Sequence, residues 1–468
     1  MKNLPFDFCR TAFFLYLCTS ICSYIYRNVM KKLLSVLGFD PTKHSVRTEL
    51  LAGLTTFLTM SYILAVNPVV LGETGMDKGA LFSATVISAV VATLVMAFYA
   101  KLPFALAPGM GLNAFFAYTL VLTMGYTWQE ALAAVMFEGV AFIFLTIAKV
   151  REAIVNAIPQ NLRYSISVGI GLFIAYIGLK NGGIIVDNKS SLTAMGPWTL
   201  MSLYAFFGVL LSAVLMALKV RGSLFYTIII LTIIGIPLGV TTIPEDFSFI
   251  SLPSSIDPIA FRMDFSRFIS LDVNYYIVVF TLLFMDLFDT LGTLIGTAST
   301  AGMVDKNGRI HGLNKALMAD AVGTTVGAFC GSSTVTTYLE SSTGIAAGGR
   351  TGLTAFTVAM LFVVAMFFSP LFLIIPKAAT TSVLVMVGVL MTKSITKISF
   401  DDMTEAVPCF ITMLVMPLAD SISDGIVLGM LSYVLLKVCT GRHKELSVAM
   451  YVLACFFVLK YITDIIEI

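Results

Sequence analysis

From Leu50 to Tyr461 the chain is a succession of apolar stretches, each about as long as a bilayer is thick, joined by short polar links. A helix needs about 20 apolar residues to cross the hydrocarbon core. Candidate spans cover 50–70, 79–100, 104–121, 128–149, 163–180, 198–218 and 223–243. After a polar stretch follow 274–297, 314–330, 333–346, 352–374, 378–393, 404–418 and 421–440. Only 12% of the 468 residues are charged and 58% are hydrophobic, whereas a water-soluble domain carries about a quarter charged residues. Too little polar surface remains to cover a globule in water. The fold class is an all-α polytopic membrane protein of about 14 transmembrane segments in a lipid bilayer.

The same composition excludes several functions. The net charge is +2 and the basic residues are dispersed, so no nucleic-acid partner is expected. Cys9, Cys18, Cys22, Cys330, Cys409, Cys439 and Cys455 form no CxxC pair, and most sit in apolar runs as small hydrophobes. His44, His311 and His443 all lie in polar segments, which argues against haem or a histidine-built metal centre. Neither a metal nor an organic cofactor is expected. Gly109-Met110-Gly111-Leu112-Asn113-Ala114 fits GxGxxA, but it follows no strand and lacks the downstream acid of a dinucleotide site. There is no P-loop, so transport would be driven by an ion gradient. No membrane histidine can activate a nucleophile, so the chain reads as no enzyme.

Two segments stand out. The third (Leu102-Pro103 to Asn113) and the tenth (Gly331 to Gly344) are too rich in Gly and Pro for continuous helices. Irregular backbone at membrane depth is tolerated where it lines a cavity or is buried in protein. A matched interrupted pair, one per half, points to a transporter's binding site. The halves also repeat: Ile158-Pro159, Ser165, Val168 and Gly171 recur as Ile375-Pro376, Ser382, Val385 and Gly388, each 217 positions on. Seven spans per copy, an odd number, would invert the second copy.

Loop charge sets an orientation. With residue 50 entering from the cytoplasm, the inner loops hold fifteen basic residues: Lys101; Lys149, Arg151, Arg163; Lys219, Arg221; Lys306, Arg309, Lys315; Arg350; Lys393, Lys397; and Lys437, Arg442, Lys444. The outer loops hold six: Lys78; Lys180, Lys189; Arg262, Arg267; and Lys377. The positive-inside rule therefore favours a cytoplasmic N-terminus. Residues 12–26 form a short apolar run. Because Met30-Lys31-Lys32 is a plausible start of its own, residues 1–29 are read as an upstream extension from a misplaced start codon. The hydrophobic stretch within 446–464 either spans or lies on the membrane surface.

Asp286 and Asp289 stand three apart in an apolar run, on one helical face. Each charge at membrane depth costs about 2.5–3.5 kcal/mol on insertion scales, so the pair should face a polar cavity. Substrate binding or proton carriage is the functional reading; capping of broken helices is the structural one. In the tenth segment, Thr334, Thr336 and Tyr338 alternate as on a strand, Thr337 lies between them, and Glu340 precedes a helix start near Ser341. A carboxylate beside hydroxyls and free backbone N–H groups suits a flat heterocycle with several donors and acceptors, and suits proton coupling. Hydroxyl-mediated helix packing explains the threonines but not Glu340. Asn113 is the counterpart from the first half, for the site or for the broken backbone. Asp320 and Glu138 are further buried candidates.

Asp286-Leu287-Phe288-Asp289-Thr290-Leu291-Gly292-Thr293 and Thr336 through Gly352 resemble the AzgA-like branch of the nucleobase:cation symporters, within the xanthine/uracil permease superfamily. So do Arg47-Thr48-Glu49, Ala52 to Phe57, and Ala107 to Ala114. The resemblance runs from about Lys43 into the C-terminal region. It implies fourteen helices as two inverted seven-helix repeats, with a core domain (50–149 and 274–374) and a gate domain (163–243 and 378–440). Residues 1–49 are then an N-terminal extension and 441–468 a hydrophobic tail. It further implies a secondary transporter that imports a purine nucleobase by proton symport across the bacterial-type inner membrane. The substrate would sit between helices eight and ten and the broken third helix. Asn113, Asp286, Asp289, Thr337 and Glu340 would bind it, and Asp286, Asp289 or Glu340 would couple the proton. Ser341 stands where the wider family more often has Asn, as in the AzgA-like branch. Hypoxanthine and guanine come first as substrates, adenine second; sodium is the alternative ion, and a gate-to-gate homodimer is compatible. An anion transporter or a channel of related architecture are the rivals. The anion carrier should show a cation near the broken helices, and none lies between Leu102 and Tyr126 or between Ala316 and Ala347.

Overall fold

The computed structural model describes residues 32, 34–148, 159–188, 192–245, 247–300, 312–448, 450–455 and 457–458. The extension at 1–29 and the far end of the tail therefore lie outside the described residues. Among the described residues, eight helices are long and apolar enough to cross a membrane, and four shorter apolar helices of 10–17 residues join them. The chain is a multi-pass membrane protein.

The first half contains α1 (Val46–Met60), α2 (Ile63–Gly72), α3 (Lys78–Val95), strand β1 (Leu106–Pro108), α4 (Met110–Ala114), α5 (Trp128–Ile147), α6 (Gln160–Asn181), the hairpin β2 (Ile185–Asn188) and β3 (Leu192–Met195), α7 (Leu200–Ala217) and α8 (Ser223–Gly235). The second contains the short α9 (Ser266–Ile269), α10 (Val273–Thr300), α11 (Leu313–Cys330), β4 (Val335–Thr337), α12 (Ser341–Ala346) and α13 (Gly352–Ala365). It ends with α14 (Ser369–Leu373), α15 (Lys377–Thr392), α16 (Met403–Leu418) and α17 (Ile422–Cys439). Helix α4 runs on as a π-helix, Phe115–Thr123, a widened turn of the kind found beside functional sites.

The two interrupted segments meet. β1 and β4 pair antiparallel, with Ala107 opposite Thr336. Gly109 N donates to Thr334 O at 3.0 Å and Tyr338 N to Ala105 O at 3.0 Å, closing the ladder at both ends. A two-stranded pair leaves each strand's outer edge unpaired, which lipid depth does not permit. One threonine per half meets that need. Thr93 of α3 accepts from Leu106 N and donates to Leu106 O, both at 3.0 Å. Thr324 of α11 accepts from Val335 N at 3.2 Å and donates to Val335 O at 3.0 Å. Pro108, which has no N–H, sits at the strand end. Gly109 follows because a Cβ there would come within 2.9 Å of Thr336 Cγ2.

The 217-residue repeat is visible in helices α6 and α15. Each starts directly after a proline, Pro159 and Pro376. Ser165 and Ser382 make the same hydrogen bond to the carbonyl three residues back. The helices cross at the equivalent glycines: a Cβ on Gly171 would lie 2.8 Å from Gly388 O, and one on Gly388 would lie 2.7 Å from Ala175 Cβ. Helices α6, α7, α8, α15, α16 and α17 pack chiefly on one another; α1, α3, α5, α10, α11, α12 and α13 do likewise. The described part of the tail buries Met450, Leu453 and Phe457, with Phe457 edge-on to Phe280 of α10.

Candidate functional site

The strand pair delivers side chains from both halves to one place. On β4 and the residue before it the alternation expected from a period of two holds: Thr336 Oγ1 donates to Asp289 Oδ2 at 3.3 Å, and Thr334 Oγ1 donates to Glu138 Oε2 at 2.6 Å. Thr337, between the residues of that face, is buried and its hydroxyl has no partner among the described residues. From the first half, Asn113 is fully buried on α4, where its Oδ1 accepts from the Ser333 hydroxyl. The broken third segment is thereby tied to the entry of the tenth.

The two aspartates share a helix but not their partners. Asp286 is fully buried, and Thr290 Oγ1 lies 3.0 Å from its Oδ1 and 2.9 Å from Asp320 Oδ1 on α11. Asp289, half-buried one turn on, meets β4 instead, and the Asp320 and Glu340 carboxyls are near enough to act on it electrostatically. Glu340 precedes α12 but does not cap it; its Oε1 accepts from Tyr62 Oη at 2.7 Å. Tyr338 Oη donates to Pro108 O at 2.6 Å, locking the strand pair from the side. The centre thus gathers carboxyls and hydroxyls, and the two interrupted segments contribute no basic residue.

Some residues around this centre escape a reading of sequence. Tyr62 reaches Glu340 because the first span, expected to be continuous, breaks between α1 and α2. There Leu64 N and Ala65 N bond three residues back, to Ser61 O and Tyr62 O. Pro68 lies six residues beyond Tyr62, inside α2, where it leaves the Leu64 carbonyl without its helical N–H, and does not mark the break itself. Arg350 Nη1 donates to Ile345 O at 2.5 Å and to Gly349 O at 2.7 Å, satisfying the C-terminal end of α12. The buried Glu49 carboxylate accepts from Arg350 N at 3.1 Å and Thr351 N at 3.3 Å, and from the Thr354 hydroxyl, so it holds the start of α13 against α1.

A sequence profile of the Permease family, of the xanthine/uracil type, matches residues 47–428. A permease of Methanocaldococcus jannaschii is 48% identical over 438 residues, covering 93% of this chain and 99% of the relative. Adenine permease AdeQ of Escherichia coli is 43% identical, covering 89% of this chain and 93% of its own length. Guanine/hypoxanthine permease PbuO of Bacillus subtilis is 42% identical, covering 89% and 97%. Among solved structures, the transmembrane domain of the cyanobacterial bicarbonate transporter BicA superposes with a TM-score of 0.59 at 18% identity, covering 81% of this chain and 96% of that one. SLC26A9 superposes at 0.60 and 12% identity, covering 89% and 70%. At such identities the likeness is one of fold.

Proposed function

The chain belongs to the xanthine/uracil permease family, and we propose that this nucleobase permease imports hypoxanthine and guanine by proton symport across a bacterial-type inner membrane. The observation that carries this reading is the convergence of Asp289 and Glu340, from two different elements, on a strand pair without a cation. Ionised carboxylates accept hydrogen bonds and donate none. Guanine presents two adjacent donors, N1–H and its 2-amino group, and hypoxanthine presents N1–H. Asp289 and Glu340 are the proposed substrate contacts, with Asn113 and Thr337 completing the site and Asp286 supporting it. Carboxyls at membrane depth are also natural carriers of a co-transported proton.

In this reading the helices around β1 and β4 form a moving core, and α6 to α8 with α15 to α17 form a gate; the N-terminus faces the cytoplasm. Lys377 to Glu73 at 2.5 Å and Asn181 to Tyr118 at 3.0 Å are contacts between the two groups that would break as the core travels. Adenine is the second reading, favoured by the 43% identity to AdeQ. The test is calorimetric titration of purified protein with guanine, hypoxanthine, adenine and bicarbonate. Guanine and hypoxanthine should bind, and Asp289→Ala and Glu340→Ala should each abolish binding in protein that purifies normally. Binding of adenine alone, or of bicarbonate, would displace the assignment.

A further inference from the structure

We infer that Tyr62 is a specificity-determining positioning residue: its phenol fixes Glu340 as an acceptor and so favours guanine and hypoxanthine over adenine. The inference rests on the purine reading above. Tyr62 is 2% exposed and stands at the break between α1 and α2, where the interruption lets its phenol reach Glu340 Oε1 at 2.7 Å. The Glu340 side chain makes no capping bond to its own helix α12. Its carboxylate is therefore set by the tyrosine and by its own backbone N–H, and not by a capping bond to the helix it precedes.

The delivery is rigid. Thr59 Oγ1 of α1 lies 3.0 Å from Thr343 Oγ1 of α12. Helix α12 packs so closely on α1 that a Cβ at Gly344 would come within 2.6 Å of Ala52 O. The Tyr62 ring also lies against that of Tyr338, their centroids 6.4 Å apart. Tyr62 and Glu340 are thus carried on two segments that cannot slide past one another without losing these contacts.

The chemistry follows from the donor inventory. A phenol that donates to an ionised carboxylate leaves that carboxylate with acceptor sites only. Guanine N1–H and its 2-amino group match two acceptor sites, and hypoxanthine N1–H matches one. Adenine places the acceptor N1 beside the donor 6-amino group, and it pairs with a carboxyl that carries a proton. Without the phenol, the Glu340 carboxyl keeps only its own backbone N–H, can turn more readily and take a proton, and the advantage of guanine shrinks.

The experiment is uptake of labelled guanine and hypoxanthine, with adenine as competitor, by wild type and Tyr62→Phe in cells without other purine permeases. Loss of a hydrogen bond to a charged group should raise the KM for guanine about tenfold or more. The maximal rate and membrane level should hold, and the inhibition constant of adenine should not rise. A tyrosine that only packs would change every purine alike, or lower the maximal rate. Equal shifts for guanine and adenine, or none, would overturn the inference and leave the proposed function intact; a wild type without purine uptake would overturn both. Should Tyr62→Phe fail to reach the membrane, 3,5-difluorotyrosine at position 62 keeps the ring and strengthens the donor. It should raise the guanine-to-adenine preference, and an unchanged preference would count against the inference.

Discussion

Replacing Thr324 by valine keeps the branched shape of the side chain and deletes one hydroxyl. That hydroxyl serves both outward-facing groups of Val335, accepting from N–H at 3.2 Å and donating to C=O at 3.0 Å. Val335 is fully buried, so neither group has water to turn to. An orphaned buried polar group costs about 1–3 kcal/mol, and two of them give about 2–6 kcal/mol against the paired state of β4. The lower bound corresponds to about a thirtyfold rise in the opening equilibrium of the strand, since about 1.4 kcal/mol is tenfold. Amide hydrogen exchange reads such local opening directly. The peptide spanning 333–340 in Thr324→Val should exchange about thirty times faster than wild type, with peptides of α15 and α17 unchanged. Thr325→Val is the control, because Thr325 Oγ1 donates only to Ala321 O of its own helix. Thr93→Val should loosen β1 by the mirrored loss at Leu106. Exchange in Thr324→Val within threefold of wild type and of Thr325→Val would refute the claim that this threonine holds the strand edge.

Other consequences concern the frame and the site. Gly388→Val drives a branched side chain into Ala175 Cβ and the Gly171 carbonyl, and overpacking of this kind costs about 1–3 kcal/mol, to be read as a lower Tm of purified protein. The Thr404 hydroxyl, followed by the Arg442 guanidinium, holds the Asp402 carboxyl down at about 2. Because an unfolded Asp titrates at about 3.9, that stabilisation is complete above about pH 4 and is lost as pH falls towards 2. Asp402→Asn should therefore flatten part of the fall in Tm over that window; an unaltered profile would remove Asp402 from the account. Asp289→Asn keeps the size of the side chain but adds donors where the site needs acceptors, and should lower guanine uptake at least tenfold with normal membrane levels, measured with labelled substrate.

Much of the architecture could be read from local chemistry. Pro103 follows the end of one helix, Pro108 and Gly109 stand just before the start of α4, Gly331 ends α11 with a left-handed backbone, and both breaks fall where helices could not continue. The equivalence of Gly171 and Gly388 follows from spacing alone, and their contact is what close crossing of two helices requires. What sequence did not disclose is which partner a polar side chain finds. Thr93 and Thr324 look like any threonine in a membrane helix until the strand edges they satisfy are placed beside them. Asp286 and Asp289, grouped by their shared face, differ in the hydroxyl each accepts from: Thr290 of the same helix for Asp286, Thr336 of β4 for Asp289. Tyr62 depends on a break in a span whose hydropathy is continuous, so no window of composition separates its two halves.

The most direct measurement is uptake of radiolabelled hypoxanthine by cells lacking their own purine permeases, with unlabelled guanine, adenine, xanthine and uracil as competitors and an uncoupler as control. Uptake that guanine blocks, adenine does not, and the uncoupler abolishes is the expected result. Well-expressed protein that takes up no purine, or that is blocked by adenine alone or ignores the uncoupler, would contradict it.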